Sequence, residues 1–94
     1  MNRVELLGNV GNAPEIKQTA SGRPLCRIHV ATNYAAGEES KVDWHDVVCF
    51  DRLAELVAEY VYKGRKVFVE GRLAYRKVDD RYVTNIIASD VRFL

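Results

Sequence analysis

The sequence contains no run of about 18 apolar residues, the length a membrane-crossing helix needs, so no membrane span is expected. Its first residues, Met1-Asn2-Arg3-Val4-Glu5, include one basic side chain but no continuous apolar stretch, and do not read as a secretory signal. The expected location is therefore the cytoplasm. Cysteine is scarce. Cys26 and Cys49 are too few for a disulfide framework and are expected to be free thiols acting as small hydrophobes. Cys26-x-x-His29 and His45-x-x-x-Cys49 superficially suggest zinc. Side chains alternate along a strand, however, so Cys26 and His29 point to opposite faces and only His45 and Cys49 share one. No metal and no cofactor are expected. Catalytic motifs are missing as well: there is no nucleophile elbow, Gly-rich phosphate loop, HExxH or spaced carboxylate pair. Asp46 could serve as a general base, but lone acids on strands are usually solvated, and no enzyme is expected. An excess of one charge is also lacking. The net charge of +1 gives no argument for nucleic acid, whose binders are typically strongly basic.

What is present is an ordinary globular balance, 48% hydrophobic and 29% charged, in 94 residues. That length supports one domain, residues 1–94, burying about 60–65% of its unfolded surface. Association with copies of itself would help so small a core. The charges are unevenly placed. Lys63, Arg65, Lys66, Arg72, Arg76, Lys77 and Arg81 face only Glu70, Asp79 and Asp80 between residues 63 and 81.

Residues 3–10 read as a first strand interrupted by Gly8, with Gly11 just beyond; such glycines mark the sharp bends that curl a sheet shut. Residues 18–24 read as a turn. The second strand, 25–33, places Cys26, Ile28, Val30 and Thr32 on one face and Arg27 and His29 on the other. A polar loop is expected over 34–42. In the third strand, 43–50, Trp44, Asp46, Val48 and Phe50 share a face opposite His45, Val47 and Cys49. Leu53, Leu56, Val57, Tyr60 and Val61 form one stripe of a helix, with Asp51 as expected N-cap and Gly64 as expected stop. Strands at 66–77 and 82–94 flank a short turn at 78–81, which makes an antiparallel hairpin. Five short strands with one helix between the third and fourth fit an all-β, five-stranded Greek-key barrel of the oligonucleotide/oligosaccharide-binding (OB) type.

Trp44 and Phe50 lie six residues apart on one strand face, about 20 Å at about 3.3 Å per residue. That spacing suits a track for several bases, since aromatic faces stack on any base. Arg72 and Arg76, on one parity of the fourth strand, can neutralise phosphates.

Several segments in order resemble the bacterial single-stranded DNA-binding proteins. They are Asn2-Arg3-Val4, Leu7-Gly8-Asn9-Val10-Gly11 with Pro14-Glu15, Ser21-Gly22, Ala31-Thr32-Asn33, Asp43-Trp44-His45 with Phe50, and Leu53-Ala54-Glu55 with Glu59-Tyr60. Lys63-Gly64, Val69-Glu70-Gly71-Arg72-Leu73, Arg76-Lys77 and Arg81-Tyr82-Val83-Thr84 complete the set. The resemblance implies an OB fold, a homotetramer (a dimer being the other option), a bacterial nucleoid-associated setting, and coating of single-stranded DNA in replication, recombination and repair. It matches the family's stacking aromatics to Trp44 and Phe50, a basic position near phosphate to Arg3, and a subunit-interface position to His45. Lys66 is a further candidate phosphate contact, and Tyr34 and Tyr75 are candidate substitutes for stackers this sequence lacks.

The departures are specific. Asp46 stands where the family often has a basic residue, Val78 where it usually has tryptophan, and Ala36 where another aromatic is usual. Fewer stacking platforms imply weaker binding, at roughly 1–3 kcal/mol each. Bacterial members continue into a Gly/Pro-rich linker and an acidic tip. With Val91-Arg92-Phe93-Leu94 closing this sequence, recruitment of proteins through such a tail is not expected. The alternative reading is a dimeric primosome-type OB protein that mainly docks other replication proteins. An OB module for a small ligand or oligosaccharide is a third.

Overall fold

The β-branched and small apolar residues of this chain alternate with polar ones over long stretches, and those stretches are its strands. The computed structural model describes residues 1–94. Its elements are β1 (Val4–Val10), β2 (Ile16–Gln18), β3 (Pro24–Ala36), β4 (Glu39–Phe50), α1 (Asp51–Tyr60), β5 (Lys66–Val78) and β6 (Arg81–Phe93). β1 runs antiparallel to β5 from Val4↔Gly71 to Asn9↔Lys66, then transfers to β3 at Asn9↔Ala31 and Val10↔Val30. β3 pairs with β4, β4 runs parallel to β6 at Val47↔Ile86 and Val48↔Ile87, and β6 returns antiparallel to β5. The circuit β1–β3–β4–β6–β5 closes on itself, giving the expected five-stranded OB barrel, and β2 adds to the outer edge of β3. Closure depends on Gly8. A Cβ there would lie 2.1 Å from the Ala31 carbonyl oxygen, so only glycine lets the two backbones meet where β1 changes partner.

The interior is filled by the inward parity of each strand: Val10, Cys26, Ile28, Val30, Val47, Cys49, Val67 and Val69 are all essentially inaccessible. α1 lies against this core, burying Ala54 and Val57, with Val61 just beyond its end. No helix is long and apolar enough to cross a membrane.

Several local expectations are corrected. Residues 34–42 are not a loop. β3 and β4 stay paired as far as Ala36↔Glu39, turning through Gly37, at φ 67°, and Glu38. The arm is polar because neither of its faces is buried, and polarity alone suggested a loop. The turn expected at 18–24 is narrower, since Gln18↔Pro24 already pair as β2 and β3. The turn at 78–81 is the two residues Asp79-Asp80, between paired Val78 and Arg81. Asp51 does not cap α1. Phe50 occupies the N-cap without a side-chain hydrogen bond, and Asp51 has left-handed backbone at φ 59°. The helix ends at Tyr60, before Gly64. Gly64 sits in the following turn, its N–H donating to the Val10 carbonyl at 2.6 Å. The expected helical stripe is only partly internal, because Tyr60 is exposed.

Because β4 and β6 are parallel, both hairpin arms project from the same end of the barrel. Register fixes the faces. Arg27 and His29 (β3), Trp44, Asp46, Val48 and Phe50 (β4), Asn85 and Ile87 (β6), and Arg72 and Arg76 (β5) point away from the barrel interior. Tyr34, His45 and Tyr75 have the opposite parity.

Cys26 and Cys49 are directly opposed across β3 and β4, and both are buried free thiols. Burial, with Cys26 adding a smaller effect, pushes the Cys49 thiol up to about 12, and burial also raises Cys26. The reactive thiolate is thus almost absent at neutral pH. A disulfide reagent at neutral pH is expected to find no fast-reacting thiol in the native protein and both thiols after denaturation. Rapid native labelling would contradict this packing.

Candidate nucleic-acid interface

Tryptophan is usually mostly covered in a folded protein, yet β4 presents Trp44 on the outer face with 62% of its surface exposed. Its ring is seated on the backbone just after β1: a Cβ at Gly11 would lie 2.3 Å and 2.5 Å from the indole Cζ3 and Cη2. Glycine gives the indole a flat bed. Beside it is an open cavity of about 360 Å³ lined by Gly11, His29, Trp44, His45 and Asp46.

Asp46, two residues on, is not a free negative charge. Arg27 Nη1 donates to its Oδ2 at 3.1 Å, and the Nδ2 of Asn85 donates to the same oxygen. Asn85 is a buried polar residue of β6, so this contact ties β4 to β6 beneath the face. His29 Nε2 lies 3.9 Å from Asp46 Oδ1. The acid that sequence comparison marks as unfavourable is thus compensated from within, by a cation that is thereby withdrawn from ligands.

Phe50 ends the same strand on the same parity, but it is not bare. The Arg23 guanidinium lies 4.3 Å above its ring centroid. Arg23 is held by Asp51, through Nε at 2.9 and 3.1 Å and Nη2 at 2.9 Å. That hydrogen-bonded guanidinium holds the Asp51 carboxyl below the usual carboxylate range, and the carboxylate in turn raises Arg23.

Arg72 and Arg76 are exposed on the outer face, across β6 from β4, and form no ion pair within the chain. Arg3 is partly committed, at 3.6 Å from Glu5 and 3.5 Å from Glu70. It shares with Arg72 and Glu70 a groove of about 520 Å³. Lys66 begins β5 opposite Asn9, in the cross-strand row that runs through Ala31 to Trp44. Tyr34 and Tyr75 are exposed, but on the other parity of the two arms, so they do not join Trp44 on one surface. His45 is half-buried, its Nε2 2.8 Å from Thr32 Oγ1.

The outward parity therefore includes Trp44, Phe50, Arg72, Arg76 and Lys66 and leaves Tyr34 and Tyr75 apart. Sequence reasoning passed over Arg23, Arg27 and Lys17. Arg27 and Lys17 line a groove of about 230 Å³ along the β2–β3 side with Leu25 and His29. The alternation of β3 already put Arg27 on the outer face. Lys17 and Arg23 needed the β2–β3 register, which no local pattern announces.

Two outcomes follow. Gly11→Ala is expected to lift the indole from its bed, seen as a red shift and readier acrylamide quenching of Trp44 emission; an unchanged spectrum would contradict the contact. Asp51, with its lowered folded pKa, stabilises fully above its unfolded value and loses that contribution as pH falls through the folded one. The melting-temperature gap between wild type and Asp51→Asn should therefore be full above about pH 5 and close only as pH falls below about 4. A gap independent of pH would refute the pairing.

A model of the Single-strand binding protein family matches residues 1–94. The chain is 35% identical over 105 residues to single-stranded DNA-binding protein 1 of Chlorobaculum tepidum, covering 100% of this chain and 65% of that protein. It is 36% identical to the single-stranded DNA-binding protein of Xanthomonas campestris pv. campestris, with 100% and 60% covered, and 40% identical to that of Rhizobium meliloti, with 93% and 57% covered. The chain thus spans roughly three-fifths of the length of these curated relatives. Among solved structures, the Plasmodium falciparum SSB complex with ssDNA has a TM-score of 0.88 at 34% identity, covering 100% of this chain and 95% of that one. With its barrel, its exposed outer-face tryptophan and a match from first residue to last, the chain belongs to the single-strand binding protein family.

Proposed function

We propose that residues 1–94 act as one OB domain that binds and coats single-stranded DNA with little regard to sequence, in replication, recombination and repair. The observation that carries this reading is Trp44: a half-open indole on a glycine bed, on the same sheet face as the unpaired Arg72 and Arg76. A base stacked there gains roughly 1–3 kcal/mol without hydrogen-bond readout. Phosphates fall to Arg72 and Arg76, and to Arg3 once it leaves Glu5 and Glu70. Lys66 would extend the path toward the far end of β5. Tyr34 and Tyr75 would meet a strand only where it passes between the arms. The names of the bacterial relatives, and the DNA complex formed by the Plasmodium protein, support the same ligand. The function is binding, without catalysis, and the setting proposed is the bacterial cytoplasm and nucleoid.

The same reading includes a homo-oligomer, a tetramer. Its support is the edge of β1. One side of that strand pairs with β5 along Val4–Asn9, whereas the other meets β3 only at Asn9 and Val10. The segment before Gly8 leaves backbone groups available to another strand, with Leu7 exposed beside them. His45, half-buried at the base of an arm, is the further interface residue in this reading.

A dT oligomer titrated into the protein is expected to quench Trp44, with log K falling by about 0.7 per neutralised phosphate for each log unit of salt. Trp44→Ala should weaken binding by roughly 1–3 kcal/mol. Unchanged emission at saturating oligomer would sink the stacking role, and absence of binding would sink the function. Sedimentation of the native protein as a monomer would refute the oligomer.

A further inference from the structure

The end of the outer face beyond Trp44 is built in two layers. Leu25 and Phe50 are register partners, so Arg23, two residues before Leu25, has the same outward parity as Phe50. The inner layer is the half-buried phenyl ring, and the outer layer is the Arg23 guanidinium, 4.3 Å above it. Asp51 accepts from Nε and Nη2, a fork that fixes the guanidinium plane as well as its position. The Nη1 amino group makes no hydrogen bond within the chain. Arg23 keeps 51% of its side chain exposed, so the upper side of this layer faces solvent.

Fold stability is only part of the account, since even a bidentate exposed pair contributes modestly. Here the partner carboxylate sits on a non-glycine residue held at φ 59°, a conformation that favours glycine. A long flexible cation is thus held over an aromatic ring on the outer face by a residue with left-handed backbone. Such strain tends to collect where a group must be held ready.

We infer that Arg23, clamped over Phe50 by Asp51, is itself the stacking surface for a nucleobase at this end of the face, with Nη1 free to donate to the adjoining phosphate. The phenyl ring then supports the platform instead of touching the base. Guanidinium planes stack on bases of any identity, so the site remains indifferent to sequence. This inference rests on the single-stranded DNA reading above.

The test is equilibrium binding of a fluorescein-labelled dT oligomer, followed by anisotropy at several salt concentrations and alongside Trp44 emission. Wild type, Arg23→Lys, Arg23→Ala and Asp51→Gly would be compared, each with its melting temperature. Arg23→Lys keeps the charge and loses the plane. It should bind about fivefold or more weakly with the salt slope preserved. Asp51→Gly keeps the guanidinium but releases it, and should weaken binding in the same direction. Arg23→Ala should lose both affinity and salt slope. Wild-type affinity in Arg23→Lys would overturn the proposal, leaving a point-charge contact. Lower melting temperatures with affinity intact in all variants would also overturn it, leaving a structural staple. Failure of the wild type to bind or to quench Trp44 would instead defeat the underlying DNA reading, before any variant is compared.

Discussion

The outer face depends on a close approach of two backbones where β1 leaves β5 for β3. At Gly8 there is no room for even a methyl group against the Ala31 carbonyl. Without that approach the sheet stays open, and the inward parity of β3, β4 and β5 has no common interior to fill. With it, Ile28, Val30, Val47, Val67 and Val69 meet in one core, and alternation sends every second residue of the same strands outward. The outer surface is the complement of the core, which is why Trp44 can be exposed on a strand whose neighbours two and four positions beyond His45 are fully buried.

Electrostatics on this face are largely settled within the chain. Asp46 takes Arg27, Asp51 takes Arg23, and Glu5 and Glu70 share Arg3. Arg72, Arg76 and Lys66 remain without an ion pair within the chain. Pairing also shapes: the carboxylates hold arginine planes in fixed orientations, and a fixed plane can stack where a mobile one would first lose conformational freedom.

The barrel was legible because its evidence is local. Alternating burial in residues 25–33, a helix between the third and fourth strands, and a tight turn near Asp79-Asp80 each leave a mark in neighbouring residues. Trp44, Arg72 and Arg76 were legible for the same reason, since parity along one strand assigns a face. What escaped was set by pairing across strands. The β3–β4 arm looked like a loop because both its faces are wet. Asp51 looked like a cap because aspartate usually is one at a helix start, but here its carboxylate is claimed by Arg23, 28 residues earlier. Register likewise puts the candidate stackers Tyr34 and Tyr75 on the parity opposite Trp44, which their sequence neighbours do not announce.

The distribution of platforms implies a particular way of holding a strand. Val78 and Ala36 offer no ring, so the proposed stacking would concentrate at Trp44 and at the Arg23–Phe50 layer, about 20 Å apart along β4. Between them lie Asp46, already paired, and Val48, covered by its neighbours. That stretch presents neither a free cation nor an aromatic plane. A single strand would be gripped at two separated points and span the interval with its backbone turned toward Arg72 across β6. Two fixed grips with a featureless interval tolerate any intervening sequence, because nothing between them reads a base. Indifference to sequence would then follow from what the middle of β4 omits as much as from the chemistry of stacking at its ends.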